Sequence, residues 1–257
     1  MNRLLHTFFL LLFALPLSSQ VAFQADTAQG CEPLQVRFTN KSQSYASYQW
    51  YFGDGGNSTL SDPQHTYSQS GSYTVTLIGT NGNQSDTLIR SQYIQVNPVP
   101  NVQFTVQNPA HCVGTDSVLF INQSDTSYAF QWVIGNGSSY SAYSFTHQYQ
   151  SAGNYQVALM AQNSFGCAKT QTLADPIRIR PLPDATFSTA DSILCGLGST
   201  AQFQAAYSGA NQYVWDFGNG STDSTQGEQA SSAYSVEGEY QITLTVEDTF
   251  ACRASFS

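Results

Sequence analysis

W-Y-F-G-D-G, residues 50–55, decides the fold, because the chain writes it three times: W-V-I-G-N-G starts at Trp132 and W-D-F-G-N-G at Trp215. Each copy is followed by G-x-Y-x-[V/I]-x-L, at residues 71–77, 153–159 and 238–244. The tryptophans lie 82 and 83 residues apart, and the steps from Trp to that Gly are 21, 21 and 23. A period near 80 is too long for a solenoid unit and suits a small domain with its own core.

Within each copy the tryptophan shares strand parity with an apolar residue two places on: Phe52, Ile134 and Phe217. The glycines of G-D-G or G-N-G then break the strand into a turn. Tyr73, Val75 and Leu77 line one face of a later strand, with Thr74 and Thr76 on the other. Val36 and Phe38 make an earlier strand, Ile94 and Val96 a final one. The second repeat aligns Val118, Phe120, Ile177 and Ile179 with these, and the third repeat carries Phe203, Tyr240, Ile242 and Leu244. No stretch has helical periodicity. The expectation is an all-β chain with one antiparallel β-sandwich per repeat. Trp50, Phe52, Tyr73, Trp132, Tyr155, Trp215, Phe217 and Tyr240 are its expected core.

Residues 1–20 read as a secretory signal: Arg3 is followed by an apolar run over 4–15 that is too short to span a bilayer. The repeats then occupy 21–97, 102–180 and 185–257. Their joints are N-P-V-P with its neighbour (98–101) and R-P-L-P with its neighbour (181–184). Proline fixes φ and removes a donor, so both joints are expected to be stiff and extended. The third repeat has no counterpart of the strand carrying Ile94 and Val96, which leaves an unpaired edge and an apolar groove. The chain is therefore expected to be part of a longer protein; completion by a strand donated in trans is the alternative.

Only 10% of residues are charged and the formal net charge is −9. Nucleic-acid affinity rests on Lys and Arg neutralising phosphates, so no nucleic-acid partner is expected, and no basic amphipathic segment points to a lipid surface. Export allows disulfides. Cys112 and Cys195 each stand 20 residues before their tryptophans, and Cys167 and Cys252 each stand 12 residues after the tyrosine of G-x-Y. The matched offsets argue for one bridge per repeat, Cys112–Cys167 and Cys195–Cys252, each contributing roughly 4 kcal/mol by loop closure. The first repeat has Ser85 at the second position, so Cys31 is expected to be a free thiol.

Histidines 65 and 147 occupy equivalent positions of different repeats, with no second ligand at zinc spacing, and are read as hydrogen-bonded structural residues. Calcium at Asp54, with Asp62 nearby, needs more carboxylates than the second and third copies offer, since Asn136 and Asn219 replace Asp54. Turn capping explains all three copies, and no metal or cofactor is expected. No nucleophile, base and orienting group converge, so no catalytic residue is expected. Should a glycan bind, surface tyrosines such as Tyr45, Tyr48, Tyr128, Tyr140 and Tyr143 would face it rather than the tryptophans.

W-x-F-G-D-G, then Pro63, His65 and Tyr67 as P-x-H-x-Y, then G-x-Y-x-V-x-L resembles the PKD domain. Asn136 departs from its Asp in the second copy and Ser232 from its His in the third. The resemblance implies immunoglobulin-like sandwiches, in tandem, in secreted or cell-surface proteins, with no catalysis by the module. The expected role is adhesion or spacing, through weak contacts with an extracellular protein or polysaccharide. The alternatives are the N-terminal spacer of a secreted hydrolase and a carbohydrate-binding module.

Overall fold

The computed structural model describes residues 20–257 except 44, 108, 109, 191 and 197. Apart from Gln20, the expected signal segment lies outside the described residues. Among those described, every regular element is a strand.

In the first repeat, Leu34–Asn40 pairs with Phe23–Ala25 on one side and with Gln64–Tyr67 on the other. The facing sheet has five strands in the order Gln29–Cys31, Gln84–Asn97, Gly71–Asn81, Ser47–Tyr51 and Asn57–Ser58. Alternating side chains from both sheets meet in a core of Val36, Phe38, Trp50, Phe52, Tyr67, Val75, Leu77, Ile94 and Val96, together with Val21 and Phe23. All pairings are antiparallel except the short run of Gln29–Cys31 beside residues 95–97. A bulge between Tyr73 and Val75 lets the long Gln84–Asn97 strand turn its two halves along the same neighbour.

The second repeat keeps this plan, with the large sheet in two pieces. Ser139–Tyr140, Ala129–Val133, Ala158–Gln162 and Ala168–Thr172 form one piece, and Ala110–Cys112, Ile177–Arg180 and Gly153–Tyr155 the other. The third repeat has the small sheet, Phe187–Thr189, Ser199–Ala205 and Gln229–Tyr234, and the four-stranded piece ending in Arg253–Phe256. Among the described residues, the piece built around Ile177–Arg180 has no counterpart there. Each repeat packs its own hydrophobic cluster around its own indole, and Trp50, Trp132 and Trp215 are fully buried. Burying a ring of that size removes about 150–250 Å² from water, which stabilises by roughly 4–6 kcal/mol at ~25 cal/mol per Å².

Two compact units divide the chain, and the division does not follow the repeats strictly. One is built on the chain up to Pro100 together with Asn163–Cys167, the other on Asn101–Gln162 with Ala168–Ser257.

Candidate functional site

The repeated motif forms a structural assembly in which each polar group is spent locally. The first glycine of the turn, Gly53, has φ +92°, and a Cβ there would lie 2.5 Å from the Thr74 carbonyl oxygen. Positive φ and this close approach both demand glycine. The Asp54 Oδ1 accepts from the Gly56 N–H (2.9 Å), closing the turn, while its Oδ2 meets His65 Nε2 at 2.7 Å. Burial works to raise the Asp54 pKa, but the hydrogen bonds from His65 and Gly56, with the charge of His65, outweigh it and hold it below the usual carboxylate value.

The other repeats solve the same geometry with different pairs. Asn136 accepts from the Ser138 N–H (3.0 Å) and donates through Nδ2 to His147 Nε2 (2.9 Å). That leaves His147 Nδ1 to donate to the Tyr140 hydroxyl at 2.9 Å, which fixes the neutral tautomer. Burial lowers the His147 pKa. In the third repeat Asn219 accepts from the Ser221 N–H (3.0 Å) and donates to the Ser232 hydroxyl (3.0 Å). A carboxylate facing a ring N–H becomes an amide facing a ring nitrogen, then an amide facing a hydroxyl. The conserved quantity is a donor matched to an acceptor across the turn. Among the described residues, no group of three or more His, Cys, Asp or Glu could hold a metal ion.

The tyrosines behave likewise. Tyr67, Tyr149 and Tyr234 donate to the carbonyls of Phe52 (3.1 Å), Ile134 (2.9 Å) and Phe217 (3.2 Å). Burial raises the pKa of all three. Tyr73, Tyr155 and Tyr240, expected in the core, are half-buried instead. Their rings lean on the preceding tyrosines, and their hydroxyls donate to carbonyls four residues upstream at 2.7 Å each, in the manner of the tyrosine corner of immunoglobulin-type sandwiches. Of the tyrosines considered for glycan, Tyr45 bonds Asp86, Tyr48 the Gln43 carbonyl, Tyr140 His147 and Tyr143 the Ser124 carbonyl. Tyr128 packs against the second core, with its ring beside Phe130.

The cysteines correct the sequence reading. The bridges are Cys31–Cys167 and Cys112–Cys252, with Cα atoms 5.6 and 5.5 Å apart, and Cys195 is the free, exposed thiol. Neither expected bridge forms, and Cys31 is not an orphan. The reason lies in strand length. Cys112 lies beside Arg180, next to where Ile179 faces Gly153, whereas Cys167 follows the far end of the strand segment that runs on to Gln162. Nine residues of extended chain separate the two ends by about 30 Å, far beyond the 4.4–6.8 Å between Cα atoms that a disulfide spans. Each bridge instead joins the first cysteine of one repeat to the second cysteine of the next.

A turn that sequence reasoning passed over delivers that second cysteine. N-S-F-G-C at 163–167 and D-T-F-A-C at 248–252 share one pattern, and the first repeat has N-G-N-Q-S there. Asn163 Oδ1 accepts from the N–H groups of Phe165 and Cys167, and Asp248 Oδ1 accepts from those of Phe250 and Cys252. Gly166 and Ala251 take positive φ at the same place, 81° and 62°. The turn then docks on the preceding joint. Asn163 Nδ2 donates to the Pro98 carbonyl at 2.8 Å, and the Arg180 guanidinium lies 3.3 Å from the centre of the Phe250 ring. The shared pattern was the available signal.

Sequence models of the PKD domain match residues 15–96, 100–175 and 184–252. The chain belongs to the PKD domain family. The pre-pro-metalloprotease PrtV of Vibrio cholerae is 28% identical over 149 residues, which are 55% of this chain and 16% of PrtV. Human polycystin-1 is 30% identical over 114 residues, 42% of this chain and 3% of that protein. A solution NMR structure from Methanosarcina mazei is 33% identical, covering 37% of this chain and 63% of its own, with a TM-score of 0.27. The chain thus spans less than a fifth of the curated relatives it matches. PKD tandem repeats of this kind are typically extracellular modules.

Proposed function

We propose that the chain is a non-catalytic extracellular spacer of PKD domains, which presents another domain and makes weak contacts with proteins or glycans. The observation that carries it is the interlocked bridging: two staples, each from one repeat to the next, laid across proline joints. A staple of this kind adds nothing to the core of a single sandwich, because each repeat already buries its own indole and aromatic cluster. Its effect falls on the joint, where it removes the hinge freedom that separate domains otherwise keep. The disulfides suit an oxidising compartment, and no helix among the described residues is long and apolar enough to cross a membrane.

The similarity to PrtV favours a specific form of this role, a spacer beside the catalytic domain of a secreted hydrolase. The carbohydrate-binding alternative draws no support from Tyr45, Tyr48, Tyr140 and Tyr143, whose hydroxyls are engaged internally.

Residual dipolar couplings test the spacer reading on repeats two and three. With Cys112–Cys252 intact, both are expected to fit one alignment tensor, and after reduction to need two. Two independent tensors in the oxidised chain would sink the spacer role.

A further inference from the structure

The two bridges overlap along the chain: Cys31 pairs with Cys167 across Cys112, and Cys112 pairs with Cys252 across Cys167. Three stretches therefore run between the same two bridges, 31–112, 112–167 and 167–252, of 81, 55 and 85 residues. The first contains repeat one, the second most of repeat two and the third repeat three. Pulling the bridges apart loads all three stretches at once, as springs in parallel. Bridges closed within single repeats would leave the repeats in series, to yield one at a time.

The outer two stretches are held short by their own folds. Cys31 lies beside Asn97, and the Glu32 N–H donates to the Asn97 carbonyl at 3.0 Å. A folded repeat one thus leaves only the 15 residues from 97 to 112 to span the gap between the bridges. Cys112 lies beside Arg180, and the Arg180 guanidinium rests on the ring of Phe250, two residues before Cys252. A folded repeat three thus leaves only the 13 residues from 167 to 180. At ~3.4 Å per extended residue these reach about 50 and about 45 Å. Drawing out the 55 residues of the middle stretch needs about 190 Å. Repeat two cannot be drawn out while repeats one and three stand.

We propose that the three repeats form one tension-bearing element, in which the cores resist together and the stretch between the bridges lengthens only when all three fail. The offset pairing is what creates this parallel arrangement, with no further contact required. The inference gives the spacer reading a mechanical form and rests on it for what the element holds under load.

Single-molecule stretching of the full chain from its two ends tests it. In the oxidised chain the stretch between the bridges is expected to open in one cooperative step. The final length should be about 310 Å, set by the 90 residues on the shortest path through both bridges. After reduction three separate steps are expected, ending at about 870 Å. The single oxidised step should need at least twice the force of the first reduced step. Cys31→Ser with Cys167→Ser should return repeat one as a separate step, and Cys112→Ser with Cys252→Ser should return repeat three. Separate steps for the individual repeats in the oxidised chain, or an oxidised step at the force of the reduced chain, would overturn the proposal. So would a final oxidised length of about 490 Å, the 144-residue path left by bridges closed within repeats. The spacer reading can fail separately. One alignment tensor with separate steps refutes this inference alone, whereas two tensors with a single step refute the spacer role alone.

Discussion

Repeats two and three share the tryptophan, the glycine turn, the tyrosine hydrogen bonds and the cysteine-bearing turn, yet they differ around the indole. In repeat two Trp132 Nε1 donates to the Ala142 carbonyl at 3.0 Å. In repeat three the buried Trp215 Nε1 finds no partner among the described residues. Its stretch from Trp to Gly is two residues longer, and those residues extend the strands Thr222–Thr225 and Gln229–Tyr234 where repeat two has only Ser139–Tyr140 and Phe145–His147. The difference teaches that the core packs around the indole whether or not its N–H finds a partner.

The largest expected effect tests how tightly each turn glycine is packed against the strand it faces. A Cβ at Gly135 (φ +81°) would lie 2.9 Å from the backbone of Gln156, and at Gly218 (φ +70°) 2.5 Å from the carbonyl of Gln241. Gly135→Ala should cost about 2–4 kcal/mol, combining positive-φ strain with a backbone clash. Gly218→Ala should cost at least as much, because its contact is the tighter one. Amide exchange in Ala158–Gln162 and Thr243–Glu247 reads the two repeats separately. A smaller loss in repeat three would show that the backbone facing Gly218 yields to the added methyl.

The next effect isolates the indole hydrogen bond. Trp132→Phe and Trp215→Phe remove similar volumes, but only the first strands a carbonyl. Repeat two should lose about 1 kcal/mol more than repeat three, the net worth of one buried hydrogen bond. Equal losses would mean that Trp215 bonds a water in solution.

How much of this was legible in the sequence depends on whether a feature is local to one strand. The tryptophans could be placed because parity with Phe52, Ile134 and Phe217 reports which side of a strand faces inward, and an indole on that side has nowhere else to go. The turn pairs were legible as capping, though the partnering of Asp54 with His65 and of Asn219 with Ser232 needed the two strands side by side. The cysteines were misread because offsets locate a residue along a repeat without saying at which end of the sandwich it emerges. Counting the nine residues from Gly153 to Gln162 as extended chain would have separated Cys112 from Cys167. The pattern shared by 163–167 and 248–252, absent from the first repeat, would then have pointed across the joint.

A smaller effect comes from pH. Burial lowers the His147 pKa, so the folded repeat binds fewer protons there than the unfolded chain. The stabilisation is present above the ordinary histidine value of about 6.5 and is lost as pH falls below it. Asp54, held below its ordinary 3.8, contributes above that value and is lost only as pH falls through its lower folded pKa. Between pH 7 and 5 repeat two should weaken while repeat three, with Ser232 in place of the histidine, stays level. His147→Gln should flatten the profile of repeat two. An unchanged slope would assign the acid sensitivity to other groups.

The smallest expected effect asks whether the pairs across the turn are interchangeable. Asp54→Asn would give repeat one the pair that repeat two already uses, with Oδ1 still accepting from Gly56 and the amide facing His65. The histidine has only to move its proton from Nε2 to Nδ1, which costs little for a side chain with solvent beside it. The change should cost a few tenths of a kcal/mol and leave repeat one's amide exchange almost unaltered, since both hydrogen bonds across the turn are kept. Asp54→Ala should cost about 1 kcal/mol, because the Gly56 N–H and His65 then both lose their partner. If Asn proves as damaging as Ala, the charge itself holds the turn, and the donor–acceptor matching seen in Asn136–His147 and Asn219–Ser232 is not what the three repeats share.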